Sequence, residues 1–297
     1  FKMTSHSSIL FFILLQCSRI HSFDITFQSF HRNVNLEVFW HGVDEEVHLG
    51  SLEAGSSMSL SDVGEGHRFL LKNPETGVIV TKIAREKHPF FVLHPQSDEG
   101  SPIHVSCKLQ RSTADVINIE IYPEWSPRGA ARFLELVTNK LFDGVALTRV
   151  VPRFLTQFGI STTLGERVPN ILDDVPSNDI TNVPPFSPGM MAYAGSGPNS
   201  RTSEMFFVMP NCPQHQLNAF GENPWETPFG RVSDDASLAI VGSFYSYGDM
   251  PPWGKGVQPQ SVYSEGYSYL KREFPELDYF SKCRIRHGDV SFDSEEL

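Results

Sequence analysis

Most apolar residues of this chain fall in runs too short for helices, and Gly and Pro break those runs too often for them to extend. That pattern confines the fold to short strands joined by turns. From Asp24 to about Leu93 the runs are VNLEVFW, EVHLGSL, SSMSLSDV, HRFLLKN, GVIVTKIA and PFFVLHP. They recur at intervals of about ten residues, the spacing of a small all-β domain. We expect a β-sandwich over residues 23–95. HPQSDEGSP (His94 to Pro102) is polar and rich in turn formers, and predicts a linker over 96–108.

The second half changes character. DVINIEIYPE alternates as a strand, with Ile117, Ile119 and Ile121 on one face and Val116, Asn118, Glu120 and Tyr122 on the other. SPRGAARFLELVTNKLFDG reads as a helix. Ser126 is a good N-cap, and Pro127 takes the first helical position, where its missing N–H costs little. Phe133, Leu134, Val137 and Leu141 recur at helical spacing, and Gly144 ends the element. From there to Asp234 short apolar runs return among Gly, Pro, Phe and Met, which predicts an antiparallel barrel with long loops and few helices. The domain spans 109–290, followed by a tail at 291–297.

The N-terminus predicts a signal peptide over 1–22. Lys2 precedes the apolar run Ile9–Leu15, and polar QCSRIHS follows. Seven apolar residues cannot span a bilayer, which needs about twenty, so no integral membrane segment is expected. The implied location is the secretory pathway, either the endoplasmic reticulum lumen or outside the cell. Cys17 would leave with the peptide. Cys107, Cys212 and Cys283 are too few and too scattered for a disulfide scaffold or a zinc site, and an oxidising compartment allows one pair among them. The net charge of −11 argues against nucleic acid and anionic membranes as partners. No motif for a metal or other cofactor is present.

Several segments, taken in order, resemble the cyclophilin family of peptidyl-prolyl isomerases over about residues 109–245. SPRGAARFLEL is similar to the family's P-x-x-x-x-N-F helix, with Arg132 for the asparagine. FDGVALTRVVPRFLTQFG is similar to Y-x-x-x-x-F-H-R-I-I-x-x-F-M-x-Q-G-G. PGMMAYAGSGPNSRTSEMFFV is similar to P-G-x-x-x-M-A-N-x-G-x-N-x-x-x-S-Q-F-F-I, and PFGRV matches V-F-G-K-V. The resemblance implies a mainly β fold: the sandwich followed by an eight-stranded antiparallel barrel capped by two helices. SKCRIRHGDV would close that barrel as its last strand.

It also implies a chemistry. Rotation about an Xaa-Pro bond breaks amide resonance against a barrier of about 18–20 kcal/mol. A fixed guanidinium can donate to the prolyl nitrogen as it pyramidalises, with no covalent step and no change of its own protonation. By the resemblance Arg149 is that donor, and Gln157 orients it or holds the substrate backbone. Phe154, Leu155, Phe206 and Leu217 form the proline pocket, and Ala194 and Gly195 line the peptide groove. Glu204 stands where the family has a glutamine, a carboxylate within reach of Arg149. Gly195 replaces an asparagine, and the loop Asn211–Thr227 lacks the family's tryptophan, with Trp225 expected to pack on its own loop and Glu226 falling at the family's histidine. The implied function is a weak peptidyl-prolyl isomerase assisting folding, acting as a monomer on proline-containing peptides or unfolded proteins. The alternative is a noncatalytic proline-peptide adaptor.

The first segment is similar to the β-domain of the von Hippel–Lindau protein, which recognises hydroxyproline peptides. An aromatic strand, a G-x-L-x-x-G turn and the GH of Gly66–His67 carry the likeness. His67 and Trp40 match contact residues there, and the partner serine falls at Val63.

Overall fold

A computed structural model describes residues 22–29, 35–43, 45–75, 77, 79–86, 89–93, 102–163, 167–174 and 183–286. All but the last residue of the expected signal peptide, and the whole 291–297 tail, lie outside these. The chain divides into two compact units, with the boundary at Phe91/Val92.

The first unit is the expected sandwich. Its strands are β1 (Ser22–Ser29), β2 (Leu36–His41), β3 (Glu46–Leu52), β4 (Ser57–Gly64), β5 (Arg68–Lys72), β6 (Ile79–Ile83) and β7 (Phe90–Leu93). They form one sheet of order β4-β1-β7 and another of order β3-β2-β5-β6. Strict alternation buries Ile25 and Phe27 of β1 and Leu36 and Val38 of β2. Phe27 bridges the layers, edge-on to Phe69 at 5.5 Å and stacked on Phe91 at 5.4 Å. His67 is held in its own turn, its Nδ1 accepting from the Gly64 amide at 3.3 Å, with its ring edge-on to Trp40.

The second unit is the barrel. Its strands are β8 (Ile103–Leu109), β9 (Val116–Ile121), β10 (Arg149–Val151), β11 (Leu155–Phe158), β12 (Met190–Tyr193), β13 (Met205–Val208), β14 (Gly230–Val232) and β15 (Phe280–Ile285). Between them lie helices α1 (Pro127–Thr138), α2 (Gln214–Ala219), α3 (Asp235–Gly242), α4 (Pro259–Glu265) and α5 (Tyr267–Glu273). The sheet order is β10-β11-β13-β12-β14-β9-β8-β15, antiparallel throughout. Its two edges meet where the chain before β10 bonds the start of β15. The Gly144 amide donates to Phe280 O, and the Phe280 amide donates to Val145 O, each at 2.9 Å. These bonds draw the two ends of the sheet together.

One boundary differs from expectation. Residues 103–108 are not linker but most of β8, paired with β9 on one side and β15 on the other. The polar run before them masks an alternating strand, IHVSCKL, whose Val105, Cys107 and Leu109 are buried. Cys107 lies opposite Cys283 on β15, and the two form the disulfide that the sequence leaves unassigned. Cys212 is a buried free thiol.

The barrel interior is filled by Ile117, Ile119, Ile121, Phe158, Met191, Met205, Phe207 and Phe229, against Phe133, Leu134 and Val137 of α1. The start of α1 is built differently from the expected serine cap. The Ser126 hydroxyl donates to Asp174, and that carboxylate takes the Arg128 and Gly129 amides at 3.0 Å each. The fully buried Arg201 supplies the countercharge, donating to Asp174 Oδ2 at 3.0 Å. A carboxylate is favourable at a helix N-terminus, and its burial is affordable only with this partner. At α3 the cap is conventional: Asp234 accepts from the Ser237 amide at 2.7 Å. Asp234→Ala is expected to cost about 1 kcal/mol in chemical denaturation.

Beyond α3 the chain adds a segment that packs on the barrel wall. Val257, Val262, Leu270, Phe274 and Leu277 cluster against Ala146 and Ile160.

Candidate active site

Strand register assembles the site. Arg149 of β10 pairs with Gln157 of β11, Gln157 pairs with Phe206 of β13, and Phe206 pairs with Ala192 of β12. Directly opposed residues share a sheet face, so a guanidinium, an amide and an aromatic ring stand in one row. Alternation sends Phe158, Met191 and Phe207 inward, and Leu155, Ala192 and Phe206 to the outer face. There they join Met190, Val208 and Phe186 in a second apolar cluster. Phe154 enters from the tight turn between β10 and β11, where its amide bonds Val151 O.

A cleft of about 600 Å³ opens on this face. Its walls include Arg149, Phe154, Leu155, Gln157, Ala194, Gly195, Glu204 and Phe206, all residues expected from the sequence. Leu217 is not among them. It packs in the outer cluster, and the cleft wall belongs instead to Phe220, the residue that ends α2. The Phe220 ring stacks on Phe154 at 5.4 Å and on Phe206 at 5.2 Å. Trp225, expected on its own loop, also reaches the chain just beyond β12. It stands over Gly195, where an added Cβ would come within 2.6 Å of the indole. Glycine at 195 is what lets the tryptophan approach the backbone so closely there.

The polar side of the cleft is an ordered chain of bonds. Arg149 grips Asp249 with two donors, Nε to Oδ1 at 2.7 Å and Nη2 to Oδ2 at 3.2 Å. Its Nη1 donates to Gln157 Oε1 at 3.3 Å, and the guanidinium lies 5.7 Å from the Phe154 ring centre. Gln157 Nε2 donates to Glu204 Oε2 at 2.8 Å, and the Tyr263 hydroxyl donates to Glu204 Oε1 at 2.6 Å. Glu204, placed by the sequence within reach of Arg149, bonds Gln157 and Tyr263 instead. The carboxylate on Arg149 is Asp249. Burial, then the neighbouring Glu204 charge, raises the Tyr263 phenol above its usual range, so it stays a donor. Nothing in the sequence marks Asp249 or Tyr263. Both come from the added segment, and Asp249 is 100 residues from the arginine it holds.

Glu226 also lines the cleft, and burial raises its pKa. The Gly221 amide at 3.3 Å offsets only part of that cost. A raised folded-state pKa favours folding below the unfolded value and penalises it as pH climbs past the folded one. Glu226→Gln is thus expected to raise Tm at pH 7, with the gain gone below about pH 4. Thermal scans at the two pH values check this.

The profile of the family described as "Cyclophilin type peptidyl-prolyl cis-trans isomerase/CLD" matches residues 107–243. Arabidopsis thaliana peptidyl-prolyl cis-trans isomerase CYP18-2 is 30% identical over 135 residues, 45% of this chain and 76% of that protein. This chain belongs to the cyclophilin family. Schizosaccharomyces pombe peptidyl-prolyl cis-trans isomerase ppi1 is 29% identical over 136 residues, 44% of this chain and 80% of that one. The crystal structure of a Cryptosporidium parvum cyclophilin type peptidyl-prolyl cis-trans isomerase, in the presence of the dipeptide Ala-Pro, overlaps 62% of this chain and 99% of its own. It does so at 14% identity and a TM-score of 0.43. The family match ends at Ser243, so Asp249 and Tyr263 lie beyond it.

Proposed function

We propose that the cyclophilin barrel is a peptidyl-prolyl cis-trans isomerase that assists folding, acting on proline-containing peptides or unfolded proteins at the Arg149 cleft. One observation carries the reading: a guanidinium, ordered by Asp249 and Gln157, borders a cleft whose other wall is the rings of Phe154 and Phe206. The rings would hold the prolyl ring. Arg149 has five N–H groups. Three of them make the bonds above, which leaves two among the described contacts for a ligand. As the amide twists, the prolyl nitrogen loses resonance and gains a lone pair, and a fixed donor stabilises that state more than the planar one. Gln157 and the Ala194–Gly195 backbone would hold the peptide on either side.

The rate is expected to be modest, because Phe220 narrows the slot between Phe154 and Phe206. The same ring favours the second reading, a proline-peptide adaptor that binds without turning substrate over. The Cys107–Cys283 pair and the apolar run Ile9–Leu15 support a place in the oxidising secretory pathway. Among the described residues no helix is long and apolar enough to cross a membrane.

A protease-coupled assay on a proline peptide tests the activity. The wild-type chain should accelerate cis–trans relaxation. Peptide binding without acceleration would support the adaptor and refute the isomerase.

A further inference from the structure

We propose that Asp249 and Tyr263, both outside the segment that matches the family, are positioning residues of this isomerase, clamping Arg149 and Gln157 from the two ends of one bonded chain. The inference rests on the proposed function.

Asp249 is presented by a turn built to hold it. The Ser246 hydroxyl donates to Val150 O at 2.6 Å, and Gly248 bridges Val150, which anchors the turn to β10 beside Arg149. The Gly256 amide donates to Asp249 O at 2.8 Å, and the Met250 amide donates to Asp249 Oδ1 at 2.7 Å. Gly254 presses so closely that a Cβ there would sit 2.3 Å from Asp249 O. Backbone and carboxylate thus each have a bond that does not depend on Arg149. The bidentate grip then sets the plane of the guanidinium, which a single bond to Gln157 does not. With Arg149 16% exposed and Asp249 21% exposed, little water competes for the pair.

Tyr263 does the same at the other end. It is carried by α4, which is seated on the barrel wall through Val262. Its hydroxyl fixes one oxygen of Glu204, leaving the other for Gln157 Nε2. That bond decides which end of the Gln157 amide faces Arg149: Nε2 to Glu204 leaves Oε1 for Nη1. A glutamate at 204 is therefore no obstacle in this chain, since the added segment supplies the phenol that turns it into a support.

Preorganisation, not a new contact with substrate, is the expected contribution. In the chain of 297 residues, Asp249→Asn should lower kcat about tenfold or more, with peptide Kd changed less than twofold and Tm near wild type. Asp249→Glu should recover part of the loss. Tyr263→Phe should lower kcat by a smaller factor. A readout independent of turnover is the heteronuclear NOE of the Arg149 Nε–H group, which should be rigid in the wild type and mobile in Asp249→Asn. An unchanged or raised kcat in Asp249→Asn, or an Arg149 side chain that stays rigid without the carboxylate, would overturn the clamp. A wild-type chain with no isomerase activity would overturn the proposed function and the clamp's role in it. That outcome is separate, because it appears before any variant is made.

Discussion

Arg149→Ala is expected to lower kcat/KM on a proline peptide about 100-fold, the scale on which one preorganised donor to a developing charge is lost. The side chain is only 16% exposed, so its field acts where water screens little. The fold should survive the change. Asp249 keeps its bond from the Met250 amide, and solvent can reach it when the guanidinium goes. Circular dichroism should therefore match the wild type while the rate falls. Arg149→Lys should lose most of the rate as well. An ammonium cannot hold both Asp249 oxygens and donate to Gln157 in one plane. A variant with the wild-type rate would mean that the cleft does no catalysis through this residue.

The largest expected effect on stability comes from the disulfide. Cys107 and Cys283 are 176 residues apart and join the second unit's first and last strands. Closing so long a loop removes enough unfolded-state entropy for about 5 kcal/mol in the chain-entropy account, and measured values commonly run at about 2–4 kcal/mol. The double variant Cys107→Ala, Cys283→Ala is expected to lose about 3 kcal/mol or more in denaturant unfolding of the barrel, followed by near-UV circular dichroism. Reducing the wild-type protein should give a similar midpoint. Both sulfurs are buried, so reduction should become complete only as the protein unfolds. An unshifted midpoint in both experiments would show that the two cysteines are not joined.

What the sequence disclosed and what it hid follow from distance along the chain. Arg149, Phe154 and Gln157 are legible because one hairpin holds them, and an antiparallel register needs only the alternation of each strand to align Arg149 with Gln157. Phe206 is legible through the run EMFFVMP, whose alternate residues divide between the barrel interior and the outer face. The segment IHVSCKL is hidden by its polar preface, although Val105, Cys107 and Leu109 carry the strand period. Ser126 has the composition of a cap, yet the cap is Asp174, 48 residues further on, and the period of α1 carries no trace of that partner. Asp249 and Tyr263 are the extreme cases. They sit in a loop and a short helix with no pattern tied to the barrel: the loop reaches the site because Ser246 and Gly248 anchor it to Val150, and the helix because α4 packs on Ala146 and Ile160. Phe220 escapes for a simpler reason: it stands three residues beyond Leu217, at the end of α2, and takes the wall expected of that leucine.

The acidic character of the chain also acquires a local meaning. Three carboxylates border or hold the cleft, yet each has an assigned partner: Asp249 takes Arg149, Glu204 takes Gln157 and Tyr263, and Glu226 takes the Gly221 amide. Arg149 is thereby ordered without losing the two N–H groups that a twisting amide requires.

The most direct measurement of the central claim is two-dimensional exchange NMR of an Xaa-Pro peptide at equilibrium with a small amount of wild-type protein. Uncatalysed interconversion takes tens to about hundreds of seconds, so the free peptide gives no exchange cross-peaks at mixing times below about one second. The account predicts cis–trans cross-peaks when the protein is added, and their loss with Arg149→Ala. A peptide that binds in the cleft while its cis and trans signals stay unconnected would contradict it.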